Sequence, residues 1–214
     1  MSTAVATKLT AREYLELERP AEFRSQFIDG VMYPMPGASL EHITIVGNLS
    51  GEIRNQLKGR PARVLSVVMR VAVDLNEFYT YPDVFVFVGR PILLDETHDT
   101  LLNPTVIIEV LSPSTQADDR GPKFERYKRL DTLREYVLVA QDRADVERHS
   151  RGDGEWSPTV FDGLDAAPRL ESLGVEVPLR AIYARTPLAE GGGHGVRMCG
   201  PVVAARRRRG AESC

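Results

Sequence analysis

Two short apolar runs dominate the middle of the chain: Asp-Val-Phe-Val-Phe-Val at 83–88 and Thr-Val-Ile-Ile-Glu-Val-Leu at 105–111. Both are rich in β-branched or aromatic residues and bounded by proline and polar residues, a pattern typical of central strands buried on both faces. Asp29-Gly30, between apolar residues, predicts a hairpin turn. Further strands are predicted at 63–65, 69–75, 135–140, 145–149 and 156–161.

Helical signals separate these strands. Thr10 and Glu13 form a capping-box pattern that predicts a short helix to about Glu18. Apolar residues recur at helical spacing over 42–58, which predicts a second helix there. A turn is predicted at 118–122, and Pro122 at a first helical position predicts a third helix through Leu130. Strands and helices in this order predict an α/β domain of the kind with a mixed β-sheet core flanked by helices.

Composition limits the organisation of the chain. We expect a flexible N-terminus at 1–8, one domain at 9–188, and a disordered Gly/Arg-rich tail at 189–214. There is no run of eighteen apolar residues and no secretory signal pattern, so we expect no membrane partner. Both cysteines, Cys199 and Cys214, lie near the C-terminus, which favours a reducing, cytoplasmic location.

The charge distribution argues mildly against tight binding to extended nucleic acid. The net charge is −3, which divides into +3 for residues 189–214 and −6 for the remainder. A metal-dependent enzyme tolerates an acidic body, because its cation neutralises both its carboxylates and a bound phosphate.

Glu109 is the most informative residue. It stands inside the apolar run 105–111, where a lone ionised carboxylate costs several kcal/mol or shifts its pKa until it is neutral. Three explanations for a carboxylate at this position are a bound cation, a structural salt bridge, or a strand end that reaches solvent. From this residue alone, the cation and the structural alternatives are about equally favoured.

Asp83 and Lys123 extend this pattern. Asp83 begins the other central strand, and if the two strands are neighbours, its carboxylate could converge with that of Glu109 on a divalent cation. Lys123 lies in the first turn of the predicted helix at 122–130 and shares a side with Tyr127, four residues later. An ammonium there could neutralise charge developing on phosphorus, although a solvated surface lysine is the simpler interpretation.

Several stretches together resemble a known family. They are Ile28-Asp29-Gly30, Met35-Pro36-Gly37-Ala38-Ser39, His42, Tyr81-Pro82-Asp83-Val84, Ile108-Glu109-Val110-Leu111-Ser112-Pro113-Ser114-Thr115 and Lys123-Phe124-Glu125-Arg126-Tyr127. The pattern, from about Leu9 to about Pro187, resembles the Uma-type restriction endonucleases of the PD-(D/E)xK nuclease superfamily. The resemblance implies a restriction-endonuclease-like fold and an endonuclease that uses Mg²⁺ (or Mn²⁺) to hydrolyse DNA.

The resemblance also implies roles for individual residues. Asp83 and Glu109 match the metal-binding carboxylates. The superfamily usually has a lysine two residues after the glutamate, where this chain has Leu111, and Lys123 looks like its relocated replacement. His42 matches a family position, although a locally bonded histidine at a helix start is the simpler interpretation of that residue. His42, Gln26 and Tyr127 are candidate accessory residues.

Two departures from the family pattern favour a second hypothesis. Family members commonly carry a glutamate where this chain has Gln26, and an acidic residue where it has Val68. The alternative function is therefore a catalytically impaired nuclease-fold module that binds nucleic acid or protein without cutting. By analogy with related nucleases that cut both strands, we also expect a homodimer.

Other chemistries find little support in the sequence. The four histidines show no zinc-ligand spacing. Ser112 and Ser114 lie outside any G-x-S-x-G pattern and are expected to shape a turn. No G-x-x-x-x-G-K-[ST] phosphate-binding loop occurs.

Overall fold

A computed structural model describes residues 8–66 and 69–189. Its helices are α1 (Ala11–Glu18), α2 (Leu40–Gln56), α3 (Gln116–Arg120), α4 (Pro122–Tyr127) and α5 (Leu179–Ile182). Its strands are β1 (Ser25–Ile28), β2 (Val31–Pro34), β3 (Ala62–Ser66), β4 (Arg70–Asp74), β5 (Phe78–Thr80), β6 (Val84–Val88), β7 (Thr100–Leu101), β8 (Val106–Leu111), β9 (Glu135–Ala140), β10 (Asp145–Arg151), β11 (Trp156–Asp162), β12 (Arg169–Leu170) and β13 (Val175–Glu176).

These strands form two principal sheets, where the sequence pattern indicated one. A six-stranded sheet has the order β11-β10-β9-β8-β6-β3, and a five-stranded sheet has the order β2-β1-β5-β4-β7. β12 and β13 pair separately. In the larger sheet β8 and β9 are parallel, joined by a crossover through α3 and α4, whereas β6 and β8 are antiparallel. The α/β class predicted from the sequence is confirmed.

The β1–β2 hairpin turns at the predicted Asp-Gly pair. Ile28 pairs with Val31, which leaves a two-residue loop. Asp29 and Gly30 both have positive φ, at 50° and 90°, as a type I′ turn requires. A Cβ at Gly30 would meet the Cβ of Lys8 at 2.7 Å, so the N-terminal segment packs closely against this turn.

Helix starts follow local capping chemistry. The predicted capping box is present at α1, where the Thr10 side chain accepts from Glu13 N and the Glu13 side chain accepts from Thr10 N. α2 begins two residues before the predicted start, because Ser39 Oγ accepts from His42 N at 3.1 Å and caps the first turn.

The segment before α4 differs from the prediction. Residues 116–120 form the short helix α3, so only Gly121 remains of the predicted turn at 118–122, and α4 ends at Tyr127 instead of Leu130. Asp119 N donates to Thr115 O at 2.9 Å, and the Ser112 hydroxyl lies 3.0 Å from the Thr115 hydroxyl. The serines and threonine thus shape the approach to α3.

Two apolar clusters cover the faces of the six-stranded sheet. On one face, α2 and α5 pack on residues such as Val84, Val86 and Ile108. On the other, Phe85, Ile107 and their neighbours pack with α4 and with the five-stranded sheet. This second face is the one on which side-chain alternation also places Glu109. The predicted N-terminal segment and tail, and Val68, lie wholly or mainly outside the described residues.

Candidate active site

Asp83 and Glu109 meet at one end of the six-stranded sheet. β6 and β8 pair antiparallel, with Val84 opposite Ile108, so Asp83, directly before β6, lies beside Glu109, the next residue on β8. Asp83 N lies 3.4 Å from Glu109 Oε2, to which it donates. The two strands predicted to carry these carboxylates are therefore neighbours, and the carboxylates converge.

The Asp83 carboxylate is fixed from two sides. Its Oδ2 accepts from Val110 N at 2.8 Å, and its Oδ1 lies 2.9 Å from His42 Nε2 on the first turn of α2. Burial lowers the pKa of His42, but the hydrogen bond and charge of Asp83 and the charge of Glu109 outweigh burial and raise the pKa above its usual value. His42 therefore bonds across the site rather than locally.

Glu109 is buried, with 3% of its surface exposed. Its Oε1 accepts from Tyr127 Oη and from Lys123 Nζ, both at 2.8 Å. Burial, together with the charges of Asp119 and Asp83, raises the pKa of Glu109 to about 7 against the opposing charge of Lys123. The structure decides two of the three explanations for a carboxylate at this position. Glu109 does not lie at a solvent-exposed strand end, and it does form a salt bridge, to Lys123.

Lys123 is not a solvated lysine: 9% of its surface is exposed. Its Nζ bridges Glu109 Oε1 and Asp119 Oδ1, the latter at 3.0 Å. Burial lowers the pKa of Lys123, but the two carboxylates outweigh burial and raise the pKa well above its usual value. The ammonium is thus held as a cation between two buried carboxyl groups.

Asp119 is the site residue that sequence analysis missed. It is 3% exposed, and its backbone oxygen accepts from Tyr136 Oη at 2.9 Å, which anchors α3 to the sheet. Its position four residues before Lys123 was the available signal, since that spacing brings two side chains together in a continuous helix. In the structure the two residues lie on α3 and α4, on either side of Gly121. The signal was lost because residues 118–122 were interpreted as a turn.

A pocket of about 500 Å³ opens over these groups. Asp83, Glu109, Asp119, Lys123 and His42 all contribute to its lining. The other lining residues are mostly apolar or small: Gln26, Met35, Pro36, Gly37, Ala38, Ser39, Ile43, Val46, Tyr81, Val110, Ser112, Pro113, Ser114, Thr115 and Gln141. Gln26 thus belongs to the pocket wall, where its Oε1 accepts from Thr80 Oγ1 at 3.2 Å.

The Tyr81 side of the pocket is supported from behind by a buried polar network. Tyr81 Oη donates to Glu18 Oε1 at 2.9 Å and accepts from Arg70 Nη1 at 3.3 Å. Arg70 also pairs with Asp99, which in turn binds Arg19 at 3.0 Å. This network connects α1 and β4 to the residue two positions before Asp83.

Comparison with known proteins decides the family. Residues 11–180 match the family described as "Uma2: Putative restriction endonuclease". The chain belongs to the Uma2 family. Two curated relatives, both named as uncharacterized proteins of Synechocystis sp., are similar to it. One is 35% identical over 167 residues, covering 78% of this chain and 94% of the relative. The other is 32% identical over 178 residues, covering 82% and 92%.

A solved structure shows the same fold. It is described as a "putative nuclease belonging to DUF820" from Anabaena variabilis, and it matches this Uma2 chain with a TM-score of 0.68 at 23% identity, covering 82% of this chain and 97% of the other. The restriction-endonuclease-like fold expected from the sequence is confirmed. The family supports a nuclease-like function acting on nucleic acid.

Every helix in the described ranges is too short or too polar to traverse a lipid bilayer.

The donor set of this Uma2 site is small. Within residues 8–66 and 69–189, no three His, Cys, Asp or Glu side chains are placed together as a metal site. The converging carboxylates are Asp83 and Glu109, and Gln26 adds a neutral amide to the same pocket. Mg²⁺ is commonly bound by one or two carboxylates together with waters and substrate phosphates, so a pair of carboxylates is compatible with it.

Proposed function

We propose that this protein is a metal-dependent endonuclease that hydrolyses phosphodiester bonds of DNA. The observation that carries the proposal is the convergence of Asp83 and Glu109 on one pocket, with Lys123 bound to Glu109 Oε1 at 2.8 Å. Two carboxylates beside an ammonium combine a site for a divalent cation with a fixed positive charge for a phosphate, as hydrolysis of a phosphodiester requires.

Asp83 and Glu109 would hold Mg²⁺ or Mn²⁺. Glu109 Oε2 has only a long contact, 3.4 Å, to Asp83 N, whereas Oε1 carries the bonds to Lys123 and Tyr127. An oxygen with spare acceptor capacity therefore faces Asp83, and the hard oxygen donors suit these cations. When bound, the cation supplies Lewis-acid stabilisation of the phosphate and lowers the pKa of a coordinated water.

The protein side chains orient the groups and balance the charge. In the reaction, water adds to phosphorus, one P–O ester bond breaks, and the departing alkoxide oxygen gains a proton. Lys123, held by Glu109 and Asp119, places a cation beside the charge that develops on the phosphate oxygens. Tyr127 fixes the orientation of Glu109, and His42 fixes that of Asp83.

The test compares the wild-type protein with Asp83→Asn. Calorimetry measures Mg²⁺ and Mn²⁺ binding, and gel electrophoresis measures nicking of plasmid DNA. We expect the wild type to bind metal and nick DNA, and Asp83→Asn to lose both while its circular dichroism stays unchanged. Asp153→Asn removes an exposed carboxylate in the turn between β10 and β11 and serves as the control. Undiminished nicking by Asp83→Asn would refute the assignment.

A second function is favoured by one observation, the neutral Gln26 in the pocket wall. In this alternative the chain is an impaired nuclease that binds nucleic acid or protein without cutting. Gln26→Glu would add a fourth carboxylate to the lining, after Asp83, Glu109 and Asp119, next to the Thr80 hydroxyl. Nicking by Gln26→Glu where the wild type shows none would establish the impaired module. Turnover by the wild type would exclude it.

A further inference from the structure

Apolar side chains frame the mouth of the active-site pocket. On the hairpin side, Tyr33 is 48% exposed and lies directly opposite Gln26, a lining residue, so the two share one face of the β1–β2 pair. On the helix side, Ile43 lines the pocket and is 58% exposed, and Leu40, three residues earlier on α2, is 66% exposed. Exposed apolar groups gathered around a pocket mark a contact surface for a ligand.

The pocket interior is also apolar above its charged floor. Met35, Pro36, Val46 and Pro113 contribute to its walls. The lining side chains that can carry a positive charge are His42 and Lys123, and both are already bonded to carboxylates. Within the described ranges, the lining holds no other lysine or arginine with which to receive a row of phosphates.

Such a pocket suits a base better than a double helix. A volume of about 500 Å³ accommodates a ligand the size of a small molecule. A duplex keeps its bases stacked inside and presents charged phosphates, which would gain little from apolar walls. An unpaired nucleotide can insert its base, whose faces stack on aromatic and apolar side chains.

One basic group is placed to meet the backbone of such a strand. Arg24 is exposed, and its guanidinium carbon lies 5.7 Å from the ring centroid of Tyr81, a lining residue. Its backbone oxygen accepts from Met35 N at 2.8 Å, so Arg24 stands beside Met35, the pocket-lining residue directly after β2. Tyr81 is buried, whereas the exposed ring of Tyr33 lies on β2 of the hairpin whose first strand directly follows Arg24. An arginine and an exposed aromatic ring on one hairpin can combine a phosphate contact with a stacking platform.

We propose that the pocket receives an unpaired nucleotide from single-stranded nucleic acid, with Tyr33 stacking on a neighbouring base and Arg24 contacting the phosphate between them. The proposal rests on the nuclease function proposed above and names the substrate class of the same site. It makes Tyr33 a residue that determines specificity for strand form, without a role at the reacting atoms.

The test measures binding by fluorescence anisotropy, with a labelled single strand of about 12 nucleotides and a blunt duplex of the same sequence. Both are titrated with wild type, Tyr33→Ala and Tyr33→Phe, in EDTA and again in Ca²⁺. Val160→Ala is the control, because Val160 on β11 is 61% exposed and lies outside the pocket lining. Nicking of circular single-stranded and duplex DNA in Mg²⁺ is measured in parallel.

We expect tighter binding of the single strand than of the duplex. Tyr33→Ala should weaken single-strand binding about five- to hundredfold, the range for loss of one base–aromatic stack. Tyr33→Phe should retain the affinity of the wild type, as should Val160→Ala.

Three outcomes would overturn the proposal, and they have different consequences. Equal or tighter binding of the duplex, with metal-dependent cutting and no effect of Tyr33→Ala, would overturn the single-strand inference and leave the nuclease function standing. Absence of binding and of cutting with both probes would overturn both. A change in oligomeric state in Tyr33→Ala, with unchanged affinity for the single strand, would assign the mouth to a second copy of the chain.

Discussion

Replacing Lys123 with methionine would remove the cation from a buried triad while keeping a similar unbranched side chain. In the wild type the ammonium lies 2.8 Å from Glu109 Oε1 and 3.0 Å from Asp119 Oδ1. Both carboxyl groups are 3% exposed, so water reaches them only poorly, from the pocket that they line. Removal of one partner from a buried ion pair costs about 3–5 kcal/mol of stability.

The size of this loss should depend on pH. The pKa of Glu109 in the wild type is raised to about 7, above its usual 4.5, so near pH 6 the group is largely neutral. Removal of the ammonium raises this pKa further. A carboxyl group with a raised folded-state pKa destabilises the fold increasingly as pH rises from the unfolded pKa to the folded one. The deficit of Lys123→Met should therefore grow by at least about 1 kcal/mol between about pH 6 and about pH 8.

Urea denaturation in EDTA, at about pH 6 and about pH 8, measures the stability loss of Lys123→Met and its change with pH. Lys128→Met is the matched control, because Lys128 caps the end of the same helix and its partner Glu125 is exposed. Its loss should stay below about 1 kcal/mol. A deficit for Lys123→Met that is equally small, or that shrinks as pH rises, would refute the buried-triad argument.

Tyr127→Phe removes the hydroxyl that donates to Glu109 Oε1 at 2.8 Å, and should lower the free energy of unfolding by about 1.5–3 kcal/mol in urea titrations. An unchanged free energy of unfolding would contradict a stabilising role for this hydroxyl. Asp99→Asn removes the carboxylate partner of buried Arg70 and should cost roughly 2 kcal/mol near neutral pH. Although burial opposes it, Arg19 and Arg70 hold the pKa of Asp99 well below its usual range. This contribution is therefore present above the unfolded pKa and lost as pH falls through the folded one, so the deficit should shrink during acid titration below about pH 4.

Sequence patterns identified the elements whose signal is local. The Asp29-Gly30 turn, the Thr10 capping box and the β9 strand at 135–140 all appear where they were predicted. Each depends on backbone preferences or apolar runs within a few residues. The sequence leaves the pairing of β6 with β8 open, because side-chain alternation fixes which face of a strand a residue occupies but does not select the neighbouring strand.

The features that the sequence did not predict depend on pairing between residues that are far apart in the chain. β7 has two residues, Thr100–Leu101, and joins the smaller sheet by parallel pairing with β4, which no periodicity could indicate. The division of the strands between two sheets has the same cause. In the site, the burial of Lys123 and the presence of Asp119 depend on how α3 and α4 dock under Glu109, a contact made only by the tertiary fold.

Two edge strands, β2 and β11, limit how copies of this protein can associate. β2 and β11 each form an edge of a principal sheet, and each contains an exposed proline, Pro34 and Pro158. A proline has no N–H with which to extend a ladder, so each residue interrupts the row of donors that an incoming strand would need. These two edges are therefore poor templates for fibril growth or domain exchange, and a homodimer built across either of them would have to use side-chain contacts instead.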